Sequence, residues 1–348
     1  MAEKNLTAQE RAAYFNMNTR RNFQPVGTIT GAENSLVSFN LPKSKLLAGL
    51  RLSIAATLTA THASSTSYTP HEDAPFSFLK RVEVRLNNGF SPFAISGPAL
   101  AEYNKTLRGI VPLSVAASGR GRVVQGVTSS SGGTTNAVRF LLDLPIMLNP
   151  RDPIGLILLQ NEETLCTVDV SLGAVGDLAP ASSGYTFAVS SISVSLMSDT
   201  FTLPASVMPD ISVLKLVQER TETLINGENI IKLPTGLTYR KLGFIVYNAT
   251  PARVADSGIT GTLDVMFNQA DVPIRIKPLE LAAYNADSYG GALPQGSYVL
   301  DFSDNGIANL GGARDYVDSE RLTEFWLKIN AAAAGTVKIW SETLARLR

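Results

Sequence analysis

The segment VEVRLNNGFSPFAISGPALAEYN at residues 82–104 returns in altered form as LDVMFNQADVPIRIKPLELAAYN at residues 263–285. Compared at an offset of 181, eight of the 23 positions are identical, and both segments end in Tyr-Asn. Apolar residues also keep the same phase, so each segment predicts a strand followed by a helix that begins at a proline. A shared strand, proline and helix in one order indicate a structural unit that occurs twice in the chain.

The segments on either side of this block repeat in the same order. Upstream, residues 38–54 match residues 230–246 at an offset of 192, with a shared Leu-Pro and then an apolar alternation in register. Downstream, residues 164–176 match residues 323–335 at an offset of 159, and the last strand of each half agrees in pattern only. Because the offset changes only between blocks, where loops are expected, we predict a duplicated β-domain.

Strand patterns dominate the chain after residue 25. Runs such as GLRLSIAATLTA (49–60) and RKLGFIVYN (240–248) alternate or are continuously apolar, and turn residues separate them. This pattern favours antiparallel sandwich or barrel architecture over βαβ units. Three segments predict helices: 7–19, which begins with the capping-box sequence TAQE, 98–109 and 278–290.

The predicted domain organisation follows from these patterns. An N-terminal helix or arm at 1–25 precedes a first β-domain at 26–201, and the proline-containing segment 202–212 is the predicted linker. The second β-domain occupies 213–348 and ends in a short tail. The polar loop at 113–136 is interpreted as a surface excursion that enlarges the first copy.

The charge balance limits the classes of function. Lys plus Arg and Asp plus Glu both number 30, so the formal net charge is zero. This argues against a dedicated nucleic-acid binder, which neutralises phosphates with clustered basic residues, and it permits association between like chains. No apolar run approaches the length of a membrane-spanning helix. The single cysteine, Cys166, alternates with Val168 and Val170 and is predicted to be a buried small residue.

Residues that could carry chemistry are few and poorly grouped. The sequence lacks the short motifs of serine hydrolases, P-loop nucleotide-binding proteins and zinc proteases. Solvated turns are the preferred interpretation of every remaining candidate, so we predict no catalytic, metal or cofactor site; the candidates are His62 and His71 with Glu72 and Asp73, the acidic group Asp315, Asp318 and Glu320, and the segment SDNG at 303–306.

Four segments carry a resemblance to a known family: LTAQERAAYFNMNTRRNF at the N-terminus, GLRLSIAATLTATHA, the crossover VSLMSDTFTLPASVMPDISVLKLVQERTETL, and VKIWSETLARL at the end. In pattern and order, together with the duplication, the chain resembles the double jelly-roll major capsid proteins of tailless icosahedral viruses, with the greatest likeness to the tectivirus-like phages of the adenovirus lineage. The resemblance implies an all-β chain of two tandem eight-stranded jelly rolls, with a short N-terminal helix and one inserted helix per domain.

The same resemblance implies a function and a set of partners. It implies a virion protein, assembled in the host cytoplasm, that forms homotrimeric capsomers of pseudo-hexagonal outline. Its expected partners are further copies of itself, neighbouring capsomers, vertex or penton and minor capsid proteins, and the surface of an internal viral membrane, with no cofactor and no specific nucleic acid. Two alternatives are a receptor- or carbohydrate-binding sandwich of the spike or lectin kind, and an enzyme on a duplicated cupin barrel.

Two groups of residues are predicted to matter for assembly. A cationic and aromatic group in the N-terminal segment is interpreted as an arm that contacts neighbouring capsomers or an anionic lipid surface, the alternative being a helix docked on its own domain: Arg11, Tyr14, Phe15, Arg20 and Arg21. The Tyr-Asn pairs of the repeat are predicted to anchor each inserted helix against its own sandwich: Tyr103, Asn104, Tyr284 and Asn285.

Overall fold

A computed structural model describes residues 7–87, 89–108, 121–148, 154–159, 165–203, 213–268, 271–303 and 316–346. The α-helices of these residues are α1 (Ala8–Asn18), α2 (Gly97–Arg108) and α3 (Pro278–Ser288). The strands of the first half are β1 (Arg21–Thr30), β2 (Leu36–Asn40), β3 (Leu46–His62), β4 (Thr66–Ser67), β5 (Leu79–Leu86), β6 (Phe90–Ile95), β7 (Val123–Gln125), β8 (Thr128–Ser129), β9 (Thr134–Pro145), β10 (Ile157–Leu158), β11 (Cys166–Leu172) and β12 (Tyr185–Phe201).

The second half is also built from strands. They are β13 (Val213–Leu224), β14 (Gly227–Leu233), β15 (Thr238–Asn248), β16 (Leu263–Phe267), β17 (Asp271–Ile276), β18 (Ser297–Asp301), β19 (Val317–Asp318), β20 (Phe325–Ala331) and β21 (Gly335–Arg346). Short 3₁₀ turns lie at Phe76–Phe78, Val175–Asp177 and Asp256–Gly258. The prediction of an all-β chain with a few helices is confirmed.

The chain forms two compact units. The first contains Met1–Pro98, Pro112–Lys215 and Arg346–Arg348, and the second contains Ala99–Val111 and Leu216–Ala345. Helix α2 therefore belongs to the second unit from Ala99 onwards, although its sequence lies inside the predicted first domain, 26–201. Most of the predicted linker, residues 204–212, lies outside the described residues, so that boundary stays a prediction.

The first unit is a jelly roll. Its two layers have the antiparallel strand orders β1-β12-β3-β9 and β2-β11-β5-β6. Strand β7 extends the first layer beyond β9, and β10 also pairs with β3. Eight strands that pair in this non-sequential order are typical of a jelly roll, in which Greek-key connections carry the chain between two layers.

The second unit repeats this topology strand for strand. Its layers have the orders β13-β21-β15-β18 and β14-β20-β16-β17. Each strand takes the place of its sequence equivalent in the first unit, and α3 follows β17 as α2 follows β6. The prediction of two tandem eight-stranded jelly rolls, with an inserted helix in each copy of the sequence, is confirmed.

The strand registers confirm the sequence offsets residue by residue. Val84 pairs with Val168 in the first unit. Addition of the offsets 181 and 159 gives Val265 and Leu327, which pair in the second unit. The final strands, whose sequences agree in pattern only, align at an offset of 143, because Leu52 pairs with Leu196 and its equivalent Phe244 pairs with Ile339. The chain is therefore a duplicated domain with one common register.

An asparagine in a left-handed conformation ends the same strand in both units. The backbone φ angle is 45° at Asn87 and 49° at Asn268. Each donates its backbone N–H to the strand on its other side, Asn87 to the carbonyl of Leu165 at 2.8 Å and Asn268 to that of Glu324 at 3.0 Å. Each side-chain oxygen also accepts backbone N–H bonds there. Asparagine tolerates this backbone region better than most residues, which explains why it occurs in both copies.

We expect Asn268→Ala to lower the free energy of unfolding by about 2–3 kcal/mol, since a left-handed alanine costs about 1–2 kcal/mol and the lost side-chain bonds about 1 kcal/mol. Asn268→Gly keeps the backbone freedom and should recover the first part of that loss. Urea denaturation at a fixed protein concentration measures both. Equal effects of the two substitutions would show that the backbone conformation contributes nothing.

Candidate functional site

Helix α1 is docked on the first unit through Phe15. The predicted capping box is present, since Thr7 Oγ1 accepts a hydrogen bond from the backbone N–H of Glu10 and the Glu10 carboxylate accepts one in return. Phe15 is 1% exposed, and its ring lies edge-to-face on Phe201 with the centroids 5.1 Å apart. The other buried members of this cluster are Leu46, Ala48, Met147 and Leu156. Phe15 is therefore docked on the domain, as in the alternative to an arm.

The remaining residues of the predicted arm differ in their surroundings. Tyr14 is 50% exposed, and Arg20 is also exposed. Arg21 forms a two-pronged ion pair with Asp199 across strands β1 and β12, with bonds of 2.9 and 2.5 Å. The side chain of Arg11 lies outside the described residues. The five predicted residues therefore do not form one exposed group, and only Tyr14 and Arg20 are shown with open surface and no ion pair.

The two copies of the repeated pentapeptide are buried to very different extents. All five residues of LAEYN at 100–104 are at most 1% exposed. In LAAYN at 281–285, Leu281 and Asn285 are buried, whereas Tyr284 is 54% exposed. The prediction that both tyrosines anchor their helices is therefore wrong for Tyr284. Tyr103 is buried, but it packs within the second unit, whereas the prediction placed it against its own, first jelly roll.

Tyr103 packs on a tryptophan that a glycine accommodates. The Tyr103 ring lies edge-to-face on Trp340 of β21, with the centroids 5.6 Å apart, and its hydroxyl donates to the Glu342 carboxylate. A Cβ atom on Gly243 of β15 would lie 2.0 Å from the Trp340 ring, so the indole lies directly over the β15 backbone. Burial and the neighbouring Glu342 hold the pKa of Tyr103 well above its usual value, so the phenol stays protonated.

The two asparagines of the repeat bond to different partners. The Asn285 side chain donates to the carbonyl of Val299 at 2.8 Å and accepts from the N–H of the same residue at 2.9 Å, which ties α3 to strand β18. The Asn104 side chain donates to the carbonyl of Leu100 at 2.8 Å, within its own helix. Asn285 is thus bonded as an anchor between helix and sheet, whereas this bond of Asn104 stabilises only the last turns of α2.

Helix α2 also places charged groups against the second unit. Glu102 accepts from the Arg253 guanidinium at 3.0 Å and from the Ser297 hydroxyl at 2.5 Å, and the Glu102 and Arg253 side chains are 1% and 6% exposed. Lys105 donates to the carbonyl of Ala292. Of these partners, Ser297 lies on β18, on the face of the layer β13-β21-β15-β18 that is opposite to the core residues of that strand. A buried charged side chain is strongly destabilising unless an opposite charge or hydrogen bonds compensate for the lost water, so these groups depend on one another.

A row of three buried charges crosses the same face. Lys241 on β15 lies directly opposite Asp301 on β18 and directly opposite Glu342 on β21. The Lys241 ammonium donates to Asp301 Oδ2 at 2.8 Å, and the Tyr289 hydroxyl donates to the same oxygen at 3.1 Å. Burial, and then the nearby Asp301 carboxylate, raise the pKa of Tyr289 above its ordinary value. None of these side chains was among the residues predicted to matter.

The two histidines and their acidic neighbours, predicted to be turn residues, are not grouped into a metal site in the described part of the chain. Half-buried His62 stacks on Tyr185, with the centroids 4.4 Å apart, and His71 Nδ1 accepts the backbone N–H of Asp73 at 3.1 Å. Throughout the described residues, no three His, Cys, Asp or Glu side chains are grouped as metal ligands would be. Glu72, which follows His71, is exposed in the same turn.

The acidic candidates and the cysteine also have structural surroundings. Asp318 accepts the backbone N–H of Glu320 at 3.0 Å in an exposed turn, whereas Asp315 and the segment 304–306 lie outside the described residues. Cys166 is 2% exposed, as predicted, and burial raises the pKa of its thiol to about 12. Its thiol is therefore protonated at neutral pH, which is the unreactive form.

No helix in the part of the chain that the structure describes is both long and apolar enough to cross a bilayer.

Comparison with known proteins finds similarity in structure but not in sequence. Neither a protein-family model nor a curated protein sequence matches the chain. Among solved structures, the chain is similar to the STIV MCP, with 14% sequence identity and a TM-score of 0.71 over 94% of this chain and 97% of that one. The major capsid protein P2 from bacteriophage PM2 matches with 14% identity and a TM-score of 0.57 over 94% and 98% of the two chains.

A third similar structure is a chain of the PBCV-1 virus capsid, with 12% identity and a TM-score of 0.62 over 94% of both chains. The structural neighbours are double jelly-roll major capsid proteins. At these identities the similarity shows a common fold, and it extends over nearly the full length of each chain.

Proposed function

We propose that this chain is the major capsid protein of an icosahedral virus and that its role is structural, not catalytic. The observation that carries the proposal is the tandem jelly roll with one strand order in both units, a fold shared with major capsid proteins over more than nine tenths of both chains. The proposed location is the virion, after assembly in the host cytoplasm.

We propose that the assembly unit is a homotrimer. Three copies of a chain with two equivalent jelly rolls present six similar sandwiches, so a three-fold ring acquires a pseudo-hexagonal outline that can tile a surface. The zero formal net charge removes long-range repulsion between copies. Both units also expose large apolar side chains, which suit contacts between copies; they include Leu36, Phe90 and Leu165 in the first unit and Ile225, Ile230 and Leu279 in the second.

Light scattering and negative-stain microscopy of the purified chain test this proposal together. We expect a molar mass three times the chain's 37.2 kDa and particles of hexagonal outline with three-fold symmetry. The outline separates a capsomer from a trimeric spike, which would be elongated or three-lobed. A monomer at micromolar concentration, or a trimer of the wrong outline, would count against a capsomer.

We further propose that the exposed side of α1 contacts neighbouring capsomers or the surface of an internal membrane, and that vertex and minor capsid proteins join the same shell. The side chains that support this are Tyr14, Met17, which is 83% exposed, and Arg20. Basic and aromatic groups both favour an anionic membrane surface, where each basic residue contributes about 1 kcal/mol.

Substitution of the exposed side chains tests this contact without undocking the helix. The triple variant Tyr14→Ala, Met17→Ala, Arg20→Ala keeps Phe15, so it should form trimers as the natural chain does but assemble into fewer shells. Flotation with anionic vesicles distinguishes lipid contact from protein contact. If the helix contacts lipid, the triple variant binds the vesicles less than the natural chain does; if it contacts only neighbouring capsomers, vesicle binding is unchanged. Unchanged assembly and unchanged vesicle binding would both speak against a functional arm.

A further inference from the structure

The row Asp301, Lys241 and Glu342 has the arrangement needed for a covalent reaction between side chains. Residues that lie directly opposite on neighbouring antiparallel strands have their Cβ atoms about 4.5–5.5 Å apart on one face of the sheet. Lys241 occupies the central strand, so its side chain has one carboxylate on each side. Its ammonium nitrogen donates to Asp301 Oδ2 at 2.8 Å, so it is held next to the carboxyl carbon with which it would react.

This row is shielded from solvent on all sides that the structure describes. The side chains of Lys241 and Asp301 are each 1% exposed, and that of Glu342 is 2% exposed. Tyr289 covers the pair, with Lys241 Nζ 6.0 Å from the centre of its ring, and the Thr106 carbonyl of α2 accepts from Nζ at 3.3 Å. Water therefore does not solvate these groups, and each depends on the side chains around it for its polar interactions.

The fold does not require this row. The common register places Gly49 at the position equivalent to Lys241, Pro145 at that of Asp301 and Asp199 at that of Glu342. The first unit therefore forms the same jelly roll without the lysine and with only one of the two acids. Since buried ion pairs are often replaceable by apolar residues without loss of stability, a row found in one copy alone points to a role beyond folding.

We propose that Lys241 and Asp301 condense into an intramolecular amide bond. One ammonium proton of Lys241 passes to the Asp301 carboxylate, the lone pair of the resulting Nζ amine attacks Asp301 Cγ, a Cγ–N bond forms, and the bond from Cγ to the protonated oxygen breaks, so that this oxygen leaves as water. Overall, one ammonium and one carboxylate give one amide and one water, with no oxidant, reductant or other reactant. Glu342 accepts a proton from Nζ and returns it to the leaving oxygen, so it is regenerated.

Preorganisation explains why the bond would form here without activation. Two groups held in a near-attack arrangement react as if at concentrations of about 10⁵–10⁸ M, and water, which would reverse the reaction, is excluded from the site. The bond would join β15 to β18 in every copy of the chain. It would stabilise the strands next to α2 and α3 independently of whether the chain assembles into a capsid.

Intact-mass spectrometry of the purified full-length chain is the decisive measurement. We expect a mass lower than that of the sequence by one water molecule, and a proteolytic fragment in which the peptides containing Lys241 and Asp301 are joined. The pair Lys80 and Asp177 serves as an internal control, because its atoms approach to 2.5 Å but the lysine side chain is 52% exposed. Lys80 should be recovered only in unlinked peptides.

Variants assign the lost water to this site. Asp301→Ala should restore the full mass of its sequence, and Glu342→Gln should slow or abolish the loss while both reacting groups remain. A full mass for the natural chain after prolonged incubation, with Lys241 in an unlinked peptide, would overturn the proposal. So would a loss of water that persists in Asp301→Ala, since the linkage would then lie elsewhere.

Discussion

Tyr103→Ala is expected to lower the free energy of unfolding by about 3–5 kcal/mol, the usual effect of removing a fully buried aromatic ring. The side chain is 0% exposed, packs against Trp340, and is a hydrogen-bond donor to the buried Glu342. Its loss creates a cavity beneath α2 and removes a partner from a carboxylate that solvent does not reach. Urea denaturation at constant protein concentration measures the change, because association would otherwise alter the midpoint.

The repeat itself supplies the matched control. Tyr284→Ala removes the same side chain from the equivalent position of the other pentapeptide, where it is 54% exposed, and should change the free energy of unfolding by no more than about 0.5 kcal/mol. Tyr103→Phe separates ring from hydroxyl, and we expect it to cost about 1–3 kcal/mol. Similar effects of the two alanine substitutions would mean that the burial of Tyr103 does not determine its contribution.

The architecture could be predicted because the alternation of apolar residues and the order of the repeated segments both reflect it. Strand pairs that face one core repeat their apolar phase, so the offsets 181, 192 and 159 recovered the register of two jelly rolls. Asn87 and Asn268 were found as identical letters and proved to share one left-handed turn. Such features depend on local conformation and on one buried face, and both are visible along the sequence.

What covers the helices could not be predicted in the same way. Identical letters in LAEYN and LAAYN suggested identical roles, but burial depends on which unit each helix contacts, and α2 packs in the second unit. A signal was nevertheless present. Lys241 in RKLGFIVYN and Asp301 in SYVLDFS are charges within otherwise apolar strands, a combination that indicates pairing across the sheet or beneath another element.

The N-terminal helix shows the same limit. Its capping box is local and was predicted correctly, but the sequence could not decide between an arm and a docked helix for Phe15, because its partner Phe201 lies far along the chain. A cationic and aromatic segment has the same composition whether it is docked or free. Only the apolar cluster around Phe15 distinguishes the two, and that cluster is assembled by tertiary packing.

Glu102→Ala is expected to have a second large effect, about 3–5 kcal/mol of unfolding free energy, because it removes one partner of a buried ion pair. The Arg253 guanidinium, 6% exposed, would keep its charge without the carboxylate 3.0 Å away. The Ser297 hydroxyl would lose the same acceptor. The control is Glu280→Ala on α3, since the pair of Glu280 with Lys277 is 3.9 Å long and more than 60% exposed on both sides, and such pairs contribute about 0–1 kcal/mol.

A double-mutant cycle shows whether the loss belongs to the pair. Arg253→Ala removes the positive charge that Glu102→Ala leaves without this carboxylate. The double variant Glu102→Ala, Arg253→Ala should therefore lose less unfolding free energy than the two single variants lose in sum, with a coupling of about 0.5–3 kcal/mol. Additive effects would mean that Glu102 acts through Ser297 or through helix packing. Coupling would establish that a helix encoded between strands of the first jelly roll is held in the second unit by charge as well as by the aromatic packing of Tyr103.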